Sequence, residues 1–394
     1  MLRERILKLA KKFEAEIIEI QRSIHQNPEL AFAEENTAKL VIDKLKELGL
    51  ELETGLAKTG VCALQKNKGG AGKTILLRAD MDALPIQEET GLDYASQNSG
   101  VMHACGHDAH VAMLLGAAMV LNELQAELKG NIKFLFQPAE EQEGGAAKMI
   151  EADVLKEPEV DAALGLHVWG AIPKGVVQCR AGPVMAASDR FFIRIHGKGG
   201  HAAQPHNCVD PIPIAAEVIT ALQNIVSRQT DPLEPLVISV CHLEAGETHN
   251  IIPSQVLLEG TVRTLSSQLR EKTPQLMEDT IAGTVKTQRA DYDFDYLRYF
   301  PPVVNDSQMT ELLKEAAKKV LAEDKVEKFQ KPIMAGEDFA YFAQAVPAVL
   351  FFLGIAPSAE EQITHHHPEF VVDEAVLKDG VAVLAQTAVD FLQN

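Results

Sequence analysis

Residues 109–141 read AHVAMLLGAAMVLNELQAELKGNIKFLFQPAEE. The part near 109–126 is rich in Ala, Leu and Met, which predicts a long apolar helix. A short β-rich run, Asn131–Phe136, follows, and then a proline and a pair of carboxylates. A helix feeding a buried strand, with unusual polar residues where the strand stops, is the repeating unit of a layered α/β domain. The alternation extends both ways. Helices are expected near 3–27 and 34–48, strands at Val61–Gln65 and Thr74–Arg78, and a further strand at Ala162–His167. From about Phe300 it resumes, with helices near 307–322, 337–344 and 373–392 around a strand at Ala348–Leu353.

Between about Pro183 and Leu297 the pattern changes. It reads strand (Asp189–His196), helix (Pro211–Arg228), strand (Leu236–Leu243), strand (Val256–Thr264), helix (Ser267–Gln288) and strand (Tyr292–Leu297). This split βαβ order describes a compact two-layer α+β unit of ferredoxin-like type with an exposed sheet edge. The expected architecture is therefore a large α/β domain with a mixed sheet, formed by residues 1–182 and 298–394, into which a smaller unit, 183–297, is inserted. The length of 394 residues agrees with two domains, since single cores rarely grow past roughly 250 residues.

Composition narrows the function classes. A net charge of −19 with no basic cluster repels phosphate backbones, so no nucleic-acid partner is expected. No apolar run approaches the ~18 residues of a membrane span, and the opening MLRERILKLAKKFEAEIIEIQ reads as an amphipathic helix, not a signal peptide. A cytoplasmic protein is expected. Five scattered cysteines, Cys62, Cys105, Cys179, Cys208 and Cys241, show no CxxC spacing and read as reduced thiols.

Three clusters carry chemistry. HACGHDAH places His103, Cys105, His107, Asp108 and His110 just before the long helix, and thiolate and imidazole are the preferred donors of zinc-like ions. FQPAEEQEGG puts Glu140 and Glu141 after a buried strand; neighbours leaving a strand point in opposite directions, so one can bind a metal while the other reaches an activated water. THHHPEF adds His365, His366 and His367, and His167 ends the strand AALGLH. Taken together these supply enough ligands for two ions, the arrangement with which two-metal hydrolases activate water. A GxSxG nucleophile elbow is absent.

ADMDALPI, HACGHDAH, QPAEE, GLHV, GKGGHAAQPH, THNIIPSQ, GTVRT, AGEDFAYF and HHHPEF follow one another across nearly the whole chain. In this order they resemble the M20 metallopeptidase family, and within it the branch of aminoacylases, hippurate hydrolases and auxin-conjugate hydrolases. The resemblance implies two divalent ions (Zn, Mn, Co or Ni) on Cys105, His107, Glu141, His167 and His366, with Cys105 bridging them as a thiolate. His107 and His167 would complete one site, Glu141 and His366 the other. Cys105 stands where other members of the family carry a bridging carboxylate. Glu140 is implied as general base. The inserted unit is implied as a lid and homodimerisation module, bringing His201 as oxyanion donor, often to the partner's site, and Asn250 and Arg263 as binders of substrate polar groups. Asp82 would support a ligating histidine from behind, while Asp80, His103 and His110 read as structural and His206 as secondary.

The expected reaction is hydrolysis of the amide of a small N-acyl amino acid, such as an acetyl or benzoyl derivative, without a covalent intermediate. Glu140 would take a proton from water and return it to the leaving nitrogen, with His201 helping to hold the oxyanion. A metallocarboxypeptidase or dipeptidase on the same scaffold would use the same residues. A non-catalytic metal-binding scaffold is the reading from another class, and it leaves the general base Glu140 without a purpose.

Overall fold

A computed structural model describes residues 2–141, 144–358 and 360–393. The chain divides into two compact units. The first comprises residues 1–182, Val304–Lys331 and 338–394, and the second Pro183–Val303 with Pro332–Glu337.

The first unit is built on an eight-stranded sheet. Its strands are β1 (Glu51–Leu56), β2 (Gly60–Lys66), β3 (Thr74–Asp80), β4 (Asn131–Gln137), β5 (Ala162–Pro173), β6 (Val177–Cys179), β7 (Val326–Lys328) and β8 (Ala348–Ala356), in the order β1-β2-β4-β3-β5-β8-β6-β7. The sheet is mixed: β3 runs parallel to β4 and β5, and β5 to β8, while β2 is antiparallel to β1 and β4. Both β3 and β8 are buried at every position, as parallel strands covered on both faces must be. The helix His107–Leu124 is apolar on all sides because it packs between the helices Leu2–Gln26 and Leu377–Gln393. Gly116 permits that approach, since a Cβ there would lie 2.7 Å from both Ile17 Cδ1 and Val381 Cγ2.

Parallel pairing brings the C-terminal ends of β3 and β4 side by side, with Asp80 opposite Gln137. The loops after these strands carry Asp82 on one and Glu140 and Glu141 on the other. Such ends are where open α/β sheets place their chemistry. One expectation changes here: β5 does not stop at His167 but continues to Pro173, held by β8. His167 is thus a polar residue inside a buried strand, opposite Phe352. The helix expected near 337–344 spans Ala340–Ala345, later than the sequence suggests.

The second unit has a four-stranded antiparallel sheet in the order Leu236–Ala245, Gln255–Thr264, Ala187–His196, Asp291–Phe300. Strict alternation along Ala187–His196 turns Phe191, Ile193 and Ile195 inward and leaves Arg190 and Arg194 exposed. The inward side chains form a separate core with Val218 and Leu222 of the helix Pro211–Asn224 and with Met277, Ile281 and Val285 of the helix Ser267–Thr287. A two-stranded ladder pairs Gly200–His201 with Ile251–Ile252.

Candidate active site

After β4 the chain leaves the sheet through Pro138 and Ala139, the latter in the left-handed region at φ 55°. The turn is tight: Gly145 N–H donates to Ala139 O, and any Cβ on Gly145 would lie 1.7 Å from Pro138 O. Asp82 grips the next two peptides. Its Oδ1 accepts the backbone N–H of Glu140 and its Oδ2 that of Glu141, both at 3.0 Å. The turn overrides the expectation that adjacent carboxylates diverge. Donor atoms of Glu140, Glu141 and His107 all lie within 4.8 Å of one another.

Two further groups of three meet the same limit: Cys105 with His107 and His167, and Cys105 with Glu141 and His366. Local structure aims each donor. His107 Nδ1–H donates to the backbone carbonyl of Asp82 at 2.9 Å and His167 Nδ1–H to that of Val168 at 2.6 Å, so both rings turn Nε2 toward the cluster. His366 has a left-handed backbone, φ 58°, and is tied by its N–H to Ala104 O; its Nε2 lies 3.2 Å from Glu141 Oε1. Cys105 Sγ is 3.6 Å from His167 Nε2.

A fourth triple, Asp80 with His107 and His110, also clusters, but hydrogen bonding removes His110 from contention. Its Nε2 accepts the N–H of Val168 at 2.9 Å, so the proton sits on Nδ1, which donates to Asp80 Oδ1 at 2.5 Å. Both nitrogens are used. The other Asp80 oxygen accepts from the fully buried Arg78 at 2.7 Å.

The electrostatics suit cations. Burial, reinforced by Glu141, Glu140 and Asp80, pushes the Cys105 thiol well above its ordinary range. Burial pulls His107 down, yet Asp80 and Asp82 carry it up to about 10. Glu141 is pushed up by burial but ends below its ordinary value through His366 and His107. His107 Nε2 and Glu141 Oε1 are buried and make no hydrogen bond among the described residues. A buried polar atom left so costs ~1–3 kcal/mol, and a divalent cation in each donor group would satisfy them while favouring the thiolate. The donor set therefore fits two divalent ions, with Cys105 common to both groups of donors.

Three residues were given no role by the sequence reading. Asp338, in AGEDFAYF, accepts from Arg78 and from Ala146 N and sends its own N–H toward Glu140 Oε1 at 3.4 Å. Arg78 joins Asp80 to Asp338. His365 accepts the Gly170 N–H on Nε2 at 3.0 Å, leaving its protonated Nδ1 3.8 Å from Cys105 Sγ. The motif AGEDF was the available signal for Asp338; nothing in THHHPEF distinguishes His365. His103 lies buried with both nitrogens unpaired among the described residues and joins none of the clusters.

In the second unit His201 is exposed and Nδ1 accepts the Ala203 N–H at 3.1 Å, which leaves Nε2–H outward as a donor. Ala202 N–H donates to Asn250 O, so Asn250, the turn residue just before the strand Ile251–Ile252, lies beside the end of the strand that carries His201. Arg263 is elsewhere: it sits at the far end of the strand Gln255–Thr264, half-buried, with Nη1 directed at Thr261 Oγ1 and Val262 O.

Residues 76–390 match the model of Peptidase family M20/M25/M40. An N-acyl-L-amino acid amidohydrolase of Geobacillus stearothermophilus is 47% identical over 307 residues, 77% of this chain and 82% of its own. Thermostable carboxypeptidase 1 of Saccharolobus solfataricus is 39% identical over 392 residues, 98% of each chain. A Bacillus subtilis crystal structure described as a dinuclear metal binding peptidase from the M20 family superposes with a TM-score of 0.85 at 37% identity, over 97% of this chain and 99% of that one.

Proposed function

The chain belongs to peptidase family M20/M25/M40 and is a hydrolase, and we propose that it removes the acyl group from small N-acyl amino acids at a two-metal centre. One observation carries the reading: two groups of three donors share Cys105, and within them His107 Nε2 and Glu141 Oε1 are buried without a hydrogen bond among the described residues. Cys105, His107 and His167 would hold one ion; Cys105, Glu141 and His366 would hold the other. When bound, the ion pair supplies a water of lowered pKa and positive charge beside the reacting carbonyl. Every other step falls to the protein. Glu140, held at its peptide by Asp82 and faced by the Asp338 N–H, takes the proton of the attacking water and delivers it to the departing nitrogen. His201, with its outward Nε2–H, donates to the oxyanion, and Asn250 and Arg263 take substrate polar groups.

The second unit acts in this reading as lid and dimerisation module of a cytoplasmic homodimer, and zinc, manganese, cobalt or nickel suits the mixed donors. A carboxypeptidase acting on short peptides is the second reading, favoured by the carboxypeptidase from Saccharolobus solfataricus. Assay of N-acetyl and N-benzoyl amino acids against dipeptides, with each metal restored in turn, separates the two. Turnover of dipeptides alone would replace the first reading by the second, and full activity after complete metal removal would sink both.

A further inference from the structure

Glu34 lies about a hundred residues before the Glu140 corner and is fully buried, at the start of the helix Glu35–Glu47. A short polar side chain at that position, such as aspartate or serine, ordinarily caps its own helix. Glu34 does not: its side chain makes no cap hydrogen bond, and Glu29 instead accepts the N–H groups of Asn36 and Thr37. Glu34 points away, with Oε1 accepting the Ala139 N–H at 2.9 Å and Oε2 the Thr59 hydroxyl at 2.6 Å. Burial pushes its carboxyl above the ordinary range, against the pull of Thr59. In either protonation state Oε1 remains an acceptor.

Its partner is the strained residue of the corner. A left-handed backbone costs a non-glycine residue ~1–2 kcal/mol, so Ala139 holds φ 55° only because its surroundings impose it. Three successive peptides, at 139, 140 and 141, give their N–H groups to two buried carboxylates, Glu34 and Asp82, contributed by separate segments of the chain. Asp82 fixes the two carboxylate-bearing residues. Glu34 fixes the bend that feeds them.

We propose that Glu34 is a positioning residue for this reaction: by holding the Ala139 peptide in its left-handed turn, it aims the Glu140 carboxylate at the water. The proposal rests on the reading of Glu140 as general base. Misplacing a catalytic group by about 1 Å costs on the order of 100-fold, and loss of one of the three clamps lets the turn relax by a fraction of that. Glu34→Ala should therefore lower kcat about 10- to 100-fold, with KM nearly unchanged, two metals per subunit retained and cooperative unfolding preserved. Glu34→Gln keeps a carbonyl for Ala139 and an amide for Thr59, and should recover most of the loss. Thr59→Val deletes the other hydrogen bond of Glu34 and should leave kcat near wild type even where stability falls.

If Glu34→Ala does not fold, Glu34→Asp serves, because it keeps the carboxylate but withdraws it from Ala139; the same loss confined to kcat is expected. Unchanged kcat in a folded Glu34→Ala or Glu34→Asp enzyme overturns the proposal. So does a Thr59→Val enzyme as slow as Glu34→Ala, which would make Glu34 part of a general buried network, or loss of metal in the Glu34 variants, which would make it a support of Glu141. Glu140→Gln is run beside them. Retained turnover in that variant removes the base assignment itself, whereas a dead Glu140→Gln with fully active Glu34 variants rejects only the positioning role.

Discussion

Asp82 Oδ1 accepts the backbone N–H of Glu140 at 3.0 Å, while the backbone carbonyl of Asp82 receives His107 Nδ1–H at 2.9 Å. One buried residue thus ties a candidate metal-binding histidine to the peptide that carries the proposed base. The carboxylate works on the glutamates and the carbonyl on the histidine.

Asp82→Asn is consequently not a mild change. The asparagine amide has one acceptor oxygen, and its NH2 must face the N–H of Glu140 or of Glu141. A buried donor left unsatisfied costs ~1–3 kcal/mol, so denaturant unfolding should report a loss of that size and kinetics a fall in kcat of about tenfold or more. An Asp82→Asn enzyme as stable and as fast as wild type would mean that the clamp is dispensable.

Glu140→Gln should retain two metals per subunit and lose about 100-fold or more in kcat, the usual consequence of removing a general base. Glu141→Ala and His366→Ala should instead lower metal content. His110→Gln should keep both ions, since its two nitrogens are already engaged by Val168 and Asp80. Elemental analysis of the four variants decides: empty sites in Glu140→Gln, or full sites in both Glu141→Ala and His366→Ala, would redraw the ligand set.

Much of this was legible in sequence where periodicity is long or motifs are dense. The helices Leu2–Gln26 and Ser267–Thr287 declare themselves by repeated apolar spacing, and HACGHDAH, QPAEE and HHHPEF bring together in space what they suggest on paper. Three-residue strands such as Val177–Cys179 and Val326–Lys328 contain too little alternation to be read. The polar His167 looked like a strand terminator because sequence does not show that its neighbours are other buried polar groups. The direction of Glu140 depends on the φ of Ala139, and alanine carries no signal of positive φ. Pairs such as Arg78 with Asp338, 260 residues apart, leave no local trace at all.

A buried charge triad should show in the pH dependence of stability. His25 Nδ1 lies 2.8 Å from Asp108 and Nε2 3.3 Å from Glu88. Burial pulls the imidazole down, but Asp108 and Glu88 carry it up to about 10. A folded-state pKa raised above the unfolded value of about 6.5 gives stability that is fully present below pH 6.5 and lost as pH rises through about 10. Removing one partner of a buried pair costs ~3–5 kcal/mol. The stability gap between wild type and His25→Gln should thus be widest near pH 6 and should close toward pH 10. A gap that stays constant over that range would show His25 to be neutral in the folded protein.

Arg263 and His201 stand well apart within one second unit. Arg263 lies eight residues along its strand from Gln255, about 26 Å at ~3.3 Å per residue, and His201 pairs with Ile251 just before that strand begins. A small N-acyl amino acid does not span such a length. If both side chains serve one substrate, they belong to different subunits. Arg263→Ala should then raise KM for substrates with a free α-carboxylate and hardly affect their amidated counterparts, because a charge-assisted fork acts only on the carboxylate. His201→Ala should fold, dimerise and bind both metals yet lose about 100-fold or more in kcat. Mixing inactive His201→Ala with inactive Glu140→Gln subunits should restore activity, since some heterodimers combine an intact His201 with an intact Glu140 across the interface. Subunit exchange without any recovery would confine His201 to its own subunit's site, and a fully active His201→Ala enzyme would remove it from the reaction.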